Sequence, residues 1–142
     1  MDVRTLTEQI AVSPQIHPGD LATIRALGFR AVICNRPDGE GADQPAFAEI
    51  AAAARAQDIA AAYLPVESGT VTDAQAAAFG ELLETLPKPV LAYCRSGMRS
   101  TTLWALAQAG RLALPAIIER AAAAGYDLKG VVRRLLNGGR TP

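Results

Sequence analysis

Short apolar runs alternate along the chain with longer segments that are bounded by capping residues or by glycine and proline. The apolar runs predict four strands, at 8–12, 30–34, 59–66 and 89–93. The longer segments predict six helices, at 18–27, 44–57, 72–86, 99–109, 115–124 and 128–137. Thr72 and Gln75 form a capping box at the third helix, and Gly28 and Gly110 follow two of the predicted helix ends.

This order of elements is typical of a mostly parallel sheet covered by helices on both faces. We therefore predict an α/β fold of three layers. Residues 1–142 should form a single domain, because no internal repeat or linker divides the chain. In such sheets, ligands bind beyond the carboxyl ends of the strands. The segments that follow Cys34 and Tyr93 are therefore the places where a site is expected.

The composition narrows the classes of function. Half of the 142 residues are hydrophobic, and 14 basic side chains balance 14 acidic ones, which argues against nucleic-acid binding through charge. No apolar run is long enough for a membrane span, and the first residues lack a signal-peptide pattern, so we expect a cytoplasmic protein with no membrane partner. Two cysteines and one histidine, without metal-ligand spacing, predict free thiols and no metal or other cofactor.

The loop after the last predicted strand carries the chemistry. Cys94 directly follows that strand, and the loop and the next helix direct backbone N–H groups and a positive dipole end toward one point, which favours a thiolate. Gly97 permits a positive φ, Arg99 offers a two-pronged hydrogen bond to an oxyanion, and Ser100 is a candidate donor to the sulfur. We interpret the loop as an anion cradle with a nucleophile at its base. Its expected substrate-binding residues are Arg95, Ser96, Gly97 and Met98.

Four segments, in chain order, carry a resemblance to a known family: VSPQI, GFRAVICNRPDGE, LPV and AYCRSGMRS. With them the chain resembles the phosphatase-like domain of the beta-lactamase hydrolase-like family, over almost its whole length. The last segment also resembles the active-site loops of cysteine-dependent phosphatases and of rhodanese-type sulfurtransferases. The resemblance implies a cysteine-phosphatase-like fold and leaves the activity open between phosphatase and sulfurtransferase.

Loop length favours sulfur transfer. Four residues separate Cys94 from Arg99, as in rhodanese-like loops, whereas the phosphatase pattern has five, and Tyr93 replaces the histidine that usually precedes the phosphatase cysteine. No acidic residue is a compelling general acid either, and sulfur transfer needs none, so our main hypothesis is a sulfurtransferase. Cys94 takes the outer sulfur of thiosulfate or a persulfide, becomes a persulfide, and passes the sulfur to an acceptor thiol or cyanide. A partner enzyme of sulfur metabolism would fit this activity.

Two alternatives stay open. A phosphatase forming a phospho-Cys94 intermediate would act on a phosphate ester and need a general acid. The candidates are Glu67, which directly follows a strand, and Asp73, whose place in a first helical turn also suits the helix dipole. A module that binds anions or senses redox state without turnover is the second alternative.

Two residues at the end of the second predicted strand and just beyond it complete the set of candidates. Cys34 is either a core thiol or a resolving thiol that forms a disulfide with an oxidised or persulfidated Cys94. Arg36 is either a solvated turn residue or a contact for the small anionic substrate.

Overall fold

The structure is a computed structural model that describes all 142 residues. Five strands form one sheet in the order β1-β2-β5-β3-β4. The strands are β1 (Arg4–Thr7), β2 (Ile10–Ser13), β3 (Ala31–Cys34), β4 (Ala60–Tyr63) and β5 (Val90–Tyr93). Only the pair β1 and β2 is antiparallel, and the other three pairs are parallel.

Six helices cover the sheet. They are α1 (Leu21–Ala26), α2 (Phe47–Ala56), α3 (Asp73–Thr85), α4 (Met98–Gln108), α5 (Leu114–Ala123) and α6 (Val132–Leu136), with short 3₁₀ turns at Pro18–Asp20 and Lys129–Val131. The two helices α1 and α2 share a core with one face of the sheet, and α3 to α6 share a second core with the other face. The predicted three-layer α/β fold is confirmed.

The side chains of each central strand alternate between the two cores. In β3, Ala31 and Ile33 face the helices α3 to α5, whereas Val32 and Cys34 face α1 and α2. Because successive side chains of a strand point to opposite faces, this alternation fixes which residues can reach a site on either face.

The edge strands differ from the prediction. The strand β1 was not predicted, because among its four residues only Leu6 is buried and the apolar signal is correspondingly weak. The strand β4 ends at Tyr63, earlier than predicted. Leu64 and Val66 nevertheless donate backbone hydrogen bonds to Cys34 O and Asn35 O at 2.9 Å each.

Three neighbouring parallel strands end at the same level. Ser13 of β2 and Cys34 of β3 are both register partners of Tyr93 in β5. The segments that leave these strands therefore meet above one edge of the sheet, and Asn35 N–H donates to Tyr93 O at 2.8 Å there. No helix is both long and apolar enough to span a membrane.

Candidate active site

The Cys94 loop turns directly into α4 and aims a backbone donor at the sulfur. Cys94 is fully buried, and the Gly97 N–H donates to its Sγ at 3.0 Å. Gly97 is the N-cap of α4 and has a φ of 93°, a conformation that costs glycine little. A side chain at this position would also collide with the Tyr126 hydroxyl. The local sequence therefore places a buried sulfur against a helix N-terminus, within hydrogen-bond distance of a backbone N–H group.

Arg99, in the first turn of α4, is held by a carboxylate from the loop after β3. Its Nη1 and Nη2 donate to the Glu40 carboxylate at 2.8 and 2.7 Å, and Nη1 also donates to Val66 O at 2.9 Å. Glu40 accepts a further bond from Arg36 Nε at 3.0 Å, while Arg36 Nη1 donates to the Gln15 side chain at 3.1 Å. Glu40 thus bridges two largely buried arginines.

The ion pairs shift the pKa values of Glu40 and Arg99. Hydrogen bonds from Arg99 and then Arg36 lower the pKa of Glu40 to about 2. The Glu40 hydrogen bond raises the pKa of Arg99, burial opposes this, and negative charge at Cys94 raises it further. Arg99 therefore lies in the electrostatic reach of both Glu40 and the sulfur.

Replacing Glu40 by glutamine should make the protein less stable at neutral pH and remove part of its acid sensitivity. Because the folded pKa of about 2 lies below the ordinary 4.5, the carboxylate stabilises the fold above pH 4.5 and loses that contribution as the pH falls toward 2. The full shift corresponds to about 3 kcal/mol, which solvent screening of the partly exposed carboxylate reduces to about 2 kcal/mol.

Urea unfolding at several pH values measures this effect. The wild type and Glu40→Gln should differ by about 2 kcal/mol at neutral pH and converge as the pH approaches the folded pKa of Glu40. Glu81→Gln is the matched control, because Glu81 is exposed on α3 and makes no ion pair. A difference that is independent of pH would show that Glu40 acts through packing rather than charge.

A small polar cavity opens beside Arg99. Its volume is about 390 Å³, and no hydrophobic residue lines it. The lining residues are Arg36, Glu40, Gly41, Ser68, Arg95 and Arg99. Three of the other cavities are larger. The largest, of about 670 Å³, is lined by the turn between β1 and β2 and by Lys88, at the amino ends of the parallel strands and far from the Cys94 loop. We place the site at the small cavity because three arginines line it and one of them, Arg99, lies within electrostatic reach of Cys94.

The other residues of the Cys94 loop and of the first turn of α4 make different contacts. Arg95 is exposed and forms no ion pair, so its side chain is available to a ligand. The Met98 N–H donates to Ser96 Oγ at 3.2 Å, which occupies one donor of the expected cradle. Ser100 was expected to donate to the sulfur, but its buried hydroxyl donates to Asn35 Oδ1 at 2.8 Å and ties α4 to the end of β3.

The two candidate acids lie in different surroundings. Glu67 is exposed and directly follows Val66, the residue whose carbonyl binds Arg99, so its loop flanks the cavity. Asp73 instead accepts hydrogen bonds from the backbone and hydroxyl of Thr141 and from Arg134. These bonds, the Thr141 backbone first, lower the pKa of Asp73, so this carboxylate is a clamp for the chain's last residues and holds no proton at neutral pH.

Cys34 is turned away from Cys94. Its side chain faces the α1 and α2 core beside Tyr93, and its Sγ donates to Arg36 O at 3.2 Å. Burial raises the pKa of Cys34, which disfavours a reactive thiolate. Cys94 continues the opposite alternation of β5, so the two sulfur atoms leave the sheet on different faces. This placement argues against a resolving role, for which both thiols would have to share one face.

Several residues of the site were not singled out in the sequence. Glu40 ends the segment NRPDGE, and its spacing of four residues from Arg36 was an available signal for an ion pair. Asn35 contributes through its side-chain oxygen and Val66 through its carbonyl, and no local pattern shows either contact. Tyr126 lies far along the chain, and nothing near it in the sequence indicates the Cys94 loop.

The fold and the site together define a protein of the cysteine-phosphatase fold class. Residues 2–111 match the family model of the phosphatase-like domain of beta-lactamase hydrolase-like proteins. The chain belongs to this family, and the resemblance in its sequence is confirmed. Tk-PTP in its active form has the same fold, with a TM-score of 0.74 and 19% identity over 96% of this chain and 94% of that one.

The relatives and one solved structure are considerably more similar. Beta-lactamase hydrolase-like proteins of Agrobacterium fabrum and Xylella fastidiosa (strain Temecula1) are each 32% identical to the chain, over 92% and 90% of its length. The chain spans only about a third of the length of these curated relatives, 31% and 30%. A candidate phosphatase from Neisseria meningitidis is 35% identical, with a TM-score of 0.86, over 97% of this chain and 99% of that one.

These comparisons bear on the choice between sulfur and phosphorus chemistry. The family model is described as phosphatase-like and the Neisseria meningitidis protein as a candidate phosphatase, and neither is described as a sulfurtransferase. The phosphatase alternative is therefore better supported than our main prediction of sulfur transfer.

Proposed function

We propose that the protein is a cysteine-dependent phosphatase with Cys94 as the nucleophile. One observation carries this proposal. A guanidinium has five N–H groups, and Glu40 and Val66 occupy three of those of Arg99. The two that remain, on Nε and Nη2, lie along one edge and form a two-pronged donor for a phosphoryl oxygen pair. Glu40 thus holds Arg99 in place while leaving its anion-binding edge free.

The reaction would proceed in two displacements. The Cys94 thiolate attacks phosphorus, the bond from phosphorus to the ester oxygen breaks, and that oxygen takes a proton from the Glu67 carboxyl group. Water then attacks the phosphocysteine and gives one proton back to Glu67. The phosphorus–sulfur bond breaks, inorganic phosphate leaves and the thiolate is restored. Arg99 and the Gly97 N–H stabilise negative charge in both steps.

The lining of the cavity supports a class of substrate. An aromatic phosphate would need apolar walls to bury its ring, and no hydrophobic residue lines this cavity. Arg36 and Arg95 extend positive charge beyond Arg99. The proposed substrate is therefore a small, non-aromatic phosphate ester that carries a second anionic group.

Two assays run side by side test the proposal. Phosphate release is measured from a sugar bisphosphate and from phosphotyrosine, and thiocyanate formation is measured from thiosulfate and cyanide. We expect Cys94-dependent phosphate release, faster from the sugar bisphosphate, and a phosphorylated Cys94 peptide after acid quenching. Thiocyanate formation without phosphate release would overturn the proposal.

Sulfur transfer is the second candidate function. The specific observation in its favour is the loop of four residues between Cys94 and Arg99, together with an exposed Glu67 that makes no side-chain hydrogen bond. Transfer from thiosulfate needs no general acid, because sulfite is a good leaving group. The same paired assays decide between the two reactions. Anion binding without turnover in either assay would instead favour a binding or sensing module.

A further inference from the structure

One peptide group links the Cys94 sulfur to a tyrosine from outside the loop. The group between Ser96 and Gly97 donates through its N–H to Cys94 Sγ at 3.0 Å. Its carbonyl oxygen, on the opposite side, accepts a hydrogen bond from the Tyr126 hydroxyl at 2.8 Å. The Cys94 sulfur and the Tyr126 hydroxyl therefore bind opposite sides of one peptide group. If the group rotated, its carbonyl oxygen rather than its N–H would face the sulfur.

Tyr126 is held firmly in this position. It is only 7% exposed, and the Arg4 guanidinium lies over its ring, 5.2 Å from the ring centre. Arg4 Nη1 also donates to Ala124 O at 3.1 Å, just before the tyrosine in the chain. The hydroxyl reaches the loop because Gly97 has no side chain to exclude it. The contact therefore depends both on the fixed position of Tyr126 and on the absence of a side chain at Gly97.

We propose that Tyr126 is a positioning residue for Cys94, holding the peptide between Ser96 and Gly97 so that its N–H stabilises the thiolate. The proposal rests on the proposed role of Cys94 as nucleophile. A hydrogen bond to a peptide carbonyl also polarises the N–H of the same group, which strengthens its bond to a charged acceptor. Tyr126 lies beyond residues 2–111, the part of the chain that matches the family model, so that match assigns it no role.

The titration of the tyrosine is consistent with this role. Burial raises the pKa of Tyr126, the Arg4 charge opposes this, and negative charge at Cys94 raises it further. The hydroxyl therefore keeps its proton at neutral pH and stays a hydrogen-bond donor when the thiolate forms.

The test compares thiol reactivity in wild type and Tyr126→Phe, both carrying Cys34→Ala so that Cys94 is the only thiol. The rate of alkylation by iodoacetamide is measured across the pH range. We expect the midpoint of the profile to rise by about half to one pH unit in the variant, which slows alkylation about three- to tenfold below the midpoint. The plateau rate at high pH should not change, because the thiolate is then fully formed in both proteins.

Two further proteins sharpen this test. Tyr63→Phe is the matched control, since it removes a hydroxyl that accepts only the Asp38 N–H at 2.9 Å, and its profile should match wild type. Incorporating 3-fluorotyrosine at position 126 retains the ring and makes the hydroxyl a stronger donor, so the midpoint should fall. Circular dichroism and thermal unfolding establish that each variant is folded.

An unchanged profile in folded Tyr126→Phe would overturn the inference, as would equal shifts in Tyr126→Phe and Tyr63→Phe. Alkylation requires no phosphate turnover. Failure of this inference is therefore distinct from failure of the proposed phosphatase activity.

Discussion

Cys94→Ser should lose at least about 10³-fold in phosphate release while still binding inorganic phosphate. The serine hydroxyl is protonated at neutral pH and is a far weaker nucleophile than a thiolate. The Gly97 N–H and the free edge of Arg99 are unchanged by the substitution, so the anion site should persist. Phosphate release under saturating substrate measures the first effect, and calorimetric titration with inorganic phosphate measures the second.

Cys34→Ala is the control for this experiment. Its side chain faces the α1 and α2 core, so its loss should alter stability more than turnover. Retention of more than about a tenth of wild-type turnover in Cys94→Ser would show that Cys94 is not the nucleophile. A comparable loss in folded Cys34→Ala would instead revive the resolving thiol as part of the reaction.

Arg99→Lys should lower kcat/KM by about 10²- to 10³-fold, because removal of a positioned charge donor from an oxyanion has effects of that size. Lysine keeps the charge, but its ammonium group cannot bind Glu40 with two nitrogens and also present a two-pronged edge to phosphate. Most of the loss should fall on kcat, since the two-pronged hydrogen bond from Arg99 matters most for the trigonal-bipyramidal transition state.

Arg133→Lys makes the same chemical change at an exposed position on α6 that forms no ion pair, and it should leave both kinetic constants unchanged. A rise in KM with unchanged kcat in Arg99→Lys would contradict the proposed role. Arg99 would then bind the ground state and the transition state equally.

The parallel strands were predictable because each is a short apolar run followed by glycine, proline or polar residues. Val90 to Tyr93 is buried throughout and lies at the centre of the sheet, so both faces select apolar side chains. The antiparallel edge strand β1 was not predictable in this way. Only one of its four residues is buried, so its sequence shows no alternation of hydrophobic and polar positions.

The choice between sulfur transfer and phosphoryl transfer at Cys94 illustrates a different limit of prediction from sequence. Loop length and the lack of a compelling general acid predicted sulfur transfer, but neither shows how Arg99 is held. In the structure, Glu40 and Val66 occupy three donors of Arg99 and leave an edge suited to phosphate. Together with the family, this arrangement supports the phosphatase alternative.

The sequence by itself determined the layered fold, the loop that bears Cys94 and Arg99, and the edge of the sheet where that loop lies. Local patterns suffice for these features, because strand ends, glycine turns and helix starts are set by neighbouring residues. Only the tertiary structure decided that Glu40 binds Arg99, that Cys34 faces away, and that Tyr126 reaches the peptide at Gly97. The Glu40 and Tyr126 contacts join residues 59 and 30 positions apart, whose meeting depends on how the strands and helices pack rather than on any local pattern.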